Sequence, residues 1–207
     1  MIPGETLAAF FAASLALGIA PGPDNLFVLT QATLHGARAG LMVTLGLCTG
    51  LLLHTAAVTL GLAALIHTSS VAFAVLKTAG AVYLLWLAWQ AFRAGTTAAV
   101  QAPRSLSAAR YYRRGIVMNV ANPKVSLFFL AFLPQFADPA RGPLAPQFIL
   151  LGSVFIVATL LVFGSIALAA ARLGQWLAHS PGTRTWLNRI AALIFVALAA
   201  RLAFSGR

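Results

Sequence analysis

Two short polar breaks inside long apolar stretches hold the side chains that could do chemistry. The first is Pro21-Gly22-Pro23-Asp24-Asn25, and the second is Asn122-Pro123-Lys124. A proline has no N–H and clashes with the carbonyl four residues earlier. Pro21 therefore frees the carbonyl of Leu17, Pro23 that of Ile19 and Pro123 that of Asn119. Gly22 adds backbone freedom, and Asp24 or Asn25 can cap a helix that restarts after the break. Asn119, Asn122 and Ser126 fall at i, i+3 and i+7, so they share one helix face, with Lys124 in the same turn. An acid and a base at two interrupted helices suit a zwitterion. Asp24 would take an ammonium group or a proton. Lys124, Asn122 and the helix N-terminus after Pro23 would take a carboxylate. The competing reading is that the prolines only kink their helices and that Asp24 and Lys124 form a structural ion pair.

The composition says what must position these residues. Of 207 residues, 60% are hydrophobic and 8% are charged, with a net charge of +11 from 14 Lys and Arg against 3 Asp and Glu. Ordinary soluble domains carry about 25% charged residues, and disordered chains need low hydrophobicity. Nucleic-acid binding is excluded as well, because the bases lie between long apolar runs rather than on a soluble frame. A membrane span needs about 20 mostly apolar residues. Six such segments are expected, at roughly 5–33, 40–66, 70–92, 115–135, 146–171 and 185–205. The segment from Leu7 to Ala20 lacks a basic leader, so it reads as an uncleaved first span.

The fold class expected is therefore all-α: a polytopic membrane protein of six transmembrane helices in a single domain, 1–207. The first half covers about 1–93, a basic connection about 94–114, and the second half about 115–207. Three spans per half set the halves in opposite orientations, as two inverted repeats with a site at their interface. Orientation follows the basic residues. Arg38, then Arg93, Arg104, Arg110, Arg113 and Arg114, then Arg172, Arg184 and Arg189 fall on one side. Arg141, Arg201 and Arg207 fall on the other. The richer side is expected in the cytoplasm, with both termini outside. Asp24 is then the only acid well inside a span, which marks it as functional by default.

Weaker signals leave alternatives open. His54 lies at i+4 steps from Gly46 and Gly50, on a face where helices approach closely. It either relays protons or packs through a hydrogen bond. Lys77 either lines a pathway or snorkels to the interface, and Ser126 is a further pathway residue. Gly36, Gly40, Thr44 and Cys48 form a packing stripe. His35, His67 and His179 read as loop or interface residues without metal spacing. No metal site, cofactor or catalytic residue is expected, since no HExxH, GxSxG, P-loop or CxxC occurs. Without a nucleotide-binding segment, coupling falls to an ion gradient, with protons the simplest choice.

The breaks PGPDN at 21–25 and NPK at 122–124, with KTAGAVYLLWLAWQAFR at 77–93 and SLFFLAFLPQF at 126–136, closely resemble the LysE/RhtB superfamily of bacterial amino-acid exporters. The threonine/homoserine/leucine-type branch is the nearest match. The resemblance runs almost end to end. It implies a six-helix inner-membrane exporter driven by the proton motive force, with functional weight on Pro21, Gly22, Pro23, Asp24, Asn25, Asn122, Pro123 and Lys124. Its implied partners are an amino acid, H+ and the bilayer; homo-oligomerisation is left open. The chain has no further intramembrane acid for a dibasic substrate, so a neutral amino acid is preferred. The alternatives are efflux of an inorganic cation, for which oxygen and sulfur ligands are scarce, or a membrane-embedded enzyme or structural subunit.

Overall fold

The structure, a computed structural model, describes residues 2–62, 70–93, 106–178, 189–190, 192–193, 196–200 and 203, and no strand occurs among them. The helices are α1 (Gly4–Ile19), α2 (Pro23–His35), α3 (Ala37–Ala57), α4 (Ser70–Arg93), α5 (Ala108–Ala121), α6 (Pro123–Leu127) and α7 (Leu144–Ala178). A π-helical turn, Val58–Leu62, prolongs α3. A second, Phe128–Phe132, prolongs α6 and leads into a 3-10 turn at Leu133–Phe136.

Among the described residues, two helices, Ala37–Gly61 and Leu144–Ala170, are each long and apolar enough to cross a membrane. Two bent pairs raise the number to four if each pair is one span: α1 with α2, bent by 60°, and α5 with Pro123–Phe136, bent by 51°. The expected first segment, 5–33, is thus two helices with a break at 20–22. The helix that carries the start of the expected fourth segment begins before 115, at Ala108. Arg110, Arg113 and Arg114 consequently sit on a helix and not in the connection. The α4 helix occupies the expected third segment. Much of the sixth segment, the start of the basic connection, His67 and His179 lie outside the described residues.

Close approaches fix the helix directions. Gly18 of α1 meets Val162 of α7, while Phe10 stacks near Phe155 at 6.5 Å, so these helices run parallel. Gly40 of α3 lies on Ala167 of α7 and Thr55 lies on Gly152, so these run antiparallel. Gly46 of α3 lies against Gly115 of α5, and Gly50 against Asn119, so α3 and α5 run parallel. Glycines are needed there, since a Cβ on Gly46 would fall 2.9 Å from the Gly115 Cα. Gly36, with φ of 84° and ψ of 166°, turns the chain between α2 and α3 in a backbone region other residues avoid.

One core is aromatic. Phe10 packs on Phe136 at 5.0 Å, and Phe128 on Phe132 and Phe155 at 4.9 and 5.0 Å. Large apolar side chains are exposed on the outer faces, among them Leu52, Leu53, Leu60, Leu161 and Leu168. Water would penalise such a surface, whereas acyl chains solvate it.

Candidate functional site

At the first break the helix α1 ends with carbonyls that have lost their donors. The ammonium of Lys124 donates to the Leu17 carbonyl at 3.1 Å and to the Ala20 carbonyl at 3.0 Å. The Asn25 side-chain amide donates to the Gly18 carbonyl. Gly22 makes room for this crossing. A Cβ there would fall 3.1 Å from the lysine Nζ and 3.7 Å from its Cδ and Cε. Pro23 begins α2 at its first turn, where a missing N–H costs nothing.

The second break repeats the logic with other groups. Pro123 opens α6, and the Asn122 Oδ1 caps it by accepting the Lys124 N–H at 3.0 Å. The Asn119 carbonyl, freed by Pro123, accepts the Asn122 N–H at 3.1 Å and contacts the His54 Nε2 at 3.2 Å. A carbonyl can only accept, so that imidazole nitrogen carries the hydrogen. His54 also rests on the Phe129 ring at 5.5 Å. Each break is therefore closed by a basic side chain from the other half of the chain.

Asp24 lies where the breaks meet. It stands in the first turn of α2, which favours a negative charge, and is only 3% exposed. The Asn119 side-chain amide donates to its Oδ2 at 3.4 Å. The Asn122 side chain also faces the carboxylate, and Lys124 and His54 lie within electrostatic reach. Four buried polar atoms here have no hydrogen-bond partner among the described residues: Asp24 Oδ1, Asn25 Oδ1, Asn119 Oδ1 and Asn122 Nδ2. The amide nitrogens of Asn25 and Asn119 and the oxygen of Asn122 are the ends engaged in hydrogen bonds, which orients each side chain. Together the four atoms present three acceptor oxygens and one amide donor. Unpaired buried polar groups are costly, and a ligand bearing both donors and acceptors would satisfy them.

The structure thus brings Asp24, Asn119, Asn122, Lys124 and His54 together, with Asn25 beside Asp24. Ser126 stays local, its hydroxyl donating to the Asn122 carbonyl at 3.2 Å. The Lys77 side chain lies outside the described residues. His35 sits near the Tyr111 ring at 6.0 Å, with a buried Nε2 that has no partner among the described residues. No group of three His, Cys, Asp or Glu that could hold a metal occurs among the described residues. Sequence reasoning overlooked the hydroxyl pair Thr49–Tyr112, 2.8 Å apart, which ties α3 to α5 below the site. It also overlooked the buried Thr59 hydroxyl in the π-helical turn, which has no hydrogen-bond partner among the described residues. A signal for the first was the reach of Tyr112, seven residues before Asn119 on one helix.

A family model for LysE type translocators matches residues 15–206. The chain belongs to that family. It is similar to a homoserine/homoserine lactone efflux protein of Salmonella typhi, 35% identical over 196 residues, covering 94% of each chain. It is 33% identical to an uncharacterized membrane protein of Vibrio cholerae, covering 91% of each. It is 29% identical to a leucine efflux protein of an Enterobacter species, covering 89% of each. No solved structure matches the chain. A translocator family whose members are named as membrane and efflux proteins agrees with the lipid-facing helices. Within it, the broken helices and the buried carboxylate are the features that transport chemistry can use.

Proposed function

We propose that the chain is a bacterial inner-membrane secondary transporter that exports neutral amino acids in exchange for protons. The observation that carries this reading is the Asp24 carboxylate, buried beside two helix breaks with one oxygen that has no hydrogen-bond partner among the described residues. The substrate ammonium binds Asp24, assisted by the oxygens of Asn25 and Asn119. The Asn122 amide binds the substrate carboxylate, and the nearby Lys124 charge attracts it. Protonation of Asp24 from outside weakens its hold on the ammonium and releases the cargo. Residues 20–23 and 122–123 are the hinges, His54 takes part in the proton path, and Ser126 lies beside the route.

The six-span inverted arrangement belongs to the same reading. Its support is directional: α1 parallels α7, α3 parallels α5, and α3 opposes α7, so the two broken helices run in opposite senses. The arginine-bearing ends of α3 and α5 face the cytoplasm, which places both termini outside. The names of the relatives support a small neutral amino acid or its lactone as cargo.

The test is counterflow in proteoliposomes with a panel of labelled amino acids, and with Asp24→Asn. The expected result is uptake of at least one neutral amino acid by the wild type, enhanced by a pH gradient, and none by the variant. No counterflow by the wild type with any panel member, or full exchange by Asp24→Asn, contradicts the proposal.

A further inference from the structure

The charges at one end of the molecule do not balance. Arg38 lies in the first turn of α3, and Arg110, Arg113 and Arg114 lie in the first two turns of α5. All four are exposed. Because α3 and α5 run parallel, with Gly46 on Gly115 and Gly50 on Asn119, both N-termini lie at the same end. Arg110, Arg113 and Arg114 fall at i, i+3 and i+4, on one face, where like charges repel. The opposite face is anchored: Tyr111 is buried, its hydroxyl accepts the Leu106 N–H at 3.0 Å, and the Tyr112 hydroxyl meets Thr49. Helix N-termini also disfavour cations. Neither helix has an acid in its first turn to offset this.

No side-chain carboxylate of the chain can serve as counter-ion at this end. There are only 3 Asp and Glu in all. Asp24 is buried at the break. Asp138 pairs with Arg141 at 3.2 Å, just before the start of α7. Since α7 opposes α3, its start lies at the far end from Arg38. Glu5 is in the first turn of α1, which parallels α7, so it lies at that far end too.

We propose that Arg110, Arg113 and Arg114, with Arg38 at the same end, form a binding site for the phosphate headgroups of anionic phospholipid. Guanidinium groups match phosphate oxygens two at a time. The site lies at the ends of helices whose outer faces meet acyl chains, which is the depth of the headgroups. A lipid phosphate there neutralises the repulsion within the α5 face and offsets the cations at two helix N-termini. This inference needs only the membrane reading and not the transport chemistry.

The test uses the purified full chain in neutral detergent, titrated with phosphatidylglycerol, phosphatidylcholine or inorganic phosphate while thermal unfolding is followed. The expected result is stabilisation by phosphatidylglycerol alone. Each basic residue near an anionic surface contributes about fivefold in affinity, so R110Q/R113Q/R114Q should weaken that effect on the order of 100-fold. R141Q, at the far end, should leave it unchanged. If the triple variant does not fold, Arg113→Glu, which supplies an internal counter-ion, must diminish the lipid effect. Equal stabilisation by phosphatidylcholine, equal stabilisation by inorganic phosphate, or an undiminished lipid effect in the neutralised variants overturns the proposal.

Discussion

Lys124→Met isolates what the lysine does for the fold. Methionine keeps the length of the stem and removes the ammonium, so the change acts on hydrogen bonds more than on volume. Two charge-assisted bonds are lost, to the Leu17 and Ala20 carbonyls at 3.1 and 3.0 Å. Each such bond contributes about 1.5–3 kcal/mol, and the Leu17 and Ala20 carbonyls left behind are buried. Asp24 also loses its buried cationic neighbour. Breaking one partner of a buried charged arrangement costs roughly 3–5 kcal/mol. For a chain of this size, that lowers the unfolding midpoint by about 10 °C. Cys48, the one cysteine and 8% exposed, supplies the assay. A thiol-reactive fluorophore reports its exposure as the detergent-solubilised protein is heated. Lys124→Gln, which keeps a neutral donor of shorter reach, should fall between the two. A midpoint for Lys124→Met within about 2 °C of the wild type, well inside the expected shift, would refute the reasoning.

Two further perturbations read the same network. Gly50→Ala places a Cβ 2.6 Å from Asn119 Oδ1 and 2.7 Å from its Cβ, so Asn119 must move off Asp24. Counterflow should fall by at least tenfold, roughly the loss of one hydrogen bond to a charged group, while the protein still inserts; unchanged transport contradicts the placement of Asn119. Tyr112→Phe removes the hydroxyl bond to Thr49. It should cost about 1 kcal/mol, seen as a midpoint shift of a few degrees with transport retained.

The helix breaks are legible in the sequence because proline acts locally. Pro21 and Pro123 mark the Leu17 and Asn119 carbonyls as donorless without knowledge of the fold. What fills them is not local: the lysine that takes Leu17 is 107 residues away, and the histidine at the Asn119 carbonyl is 65 residues away. Sequence reasoning therefore gave Lys124 to the substrate, and its two carbonyl partners emerge only from packing. The start of α5 is less legible for a different reason. Its first two turns carry Arg110, Arg113 and Arg114, which mask an inward face of Tyr111, Gly115 and Asn119 at four-residue steps. A window that averages hydropathy loses such a face, and a periodicity count keeps it. Gly46 and Gly50 share with His54 the face on which the sequence expects a close helix approach, and they do set how closely α5 approaches.

Direct binding tests the central claim, that the Asp24 carboxylate holds the ammonium of the cargo. The measurement is saturable binding of a labelled neutral amino acid, chosen from the counterflow panel, to purified wild type and Asp24→Asn, with the N-acetylated amino acid as competitor. Binding is expected by the wild type and not by Asp24→Asn, with no competition from the acetylated compound. Wild-type affinity in Asp24→Asn, or effective competition by the acetylated compound, would contradict it.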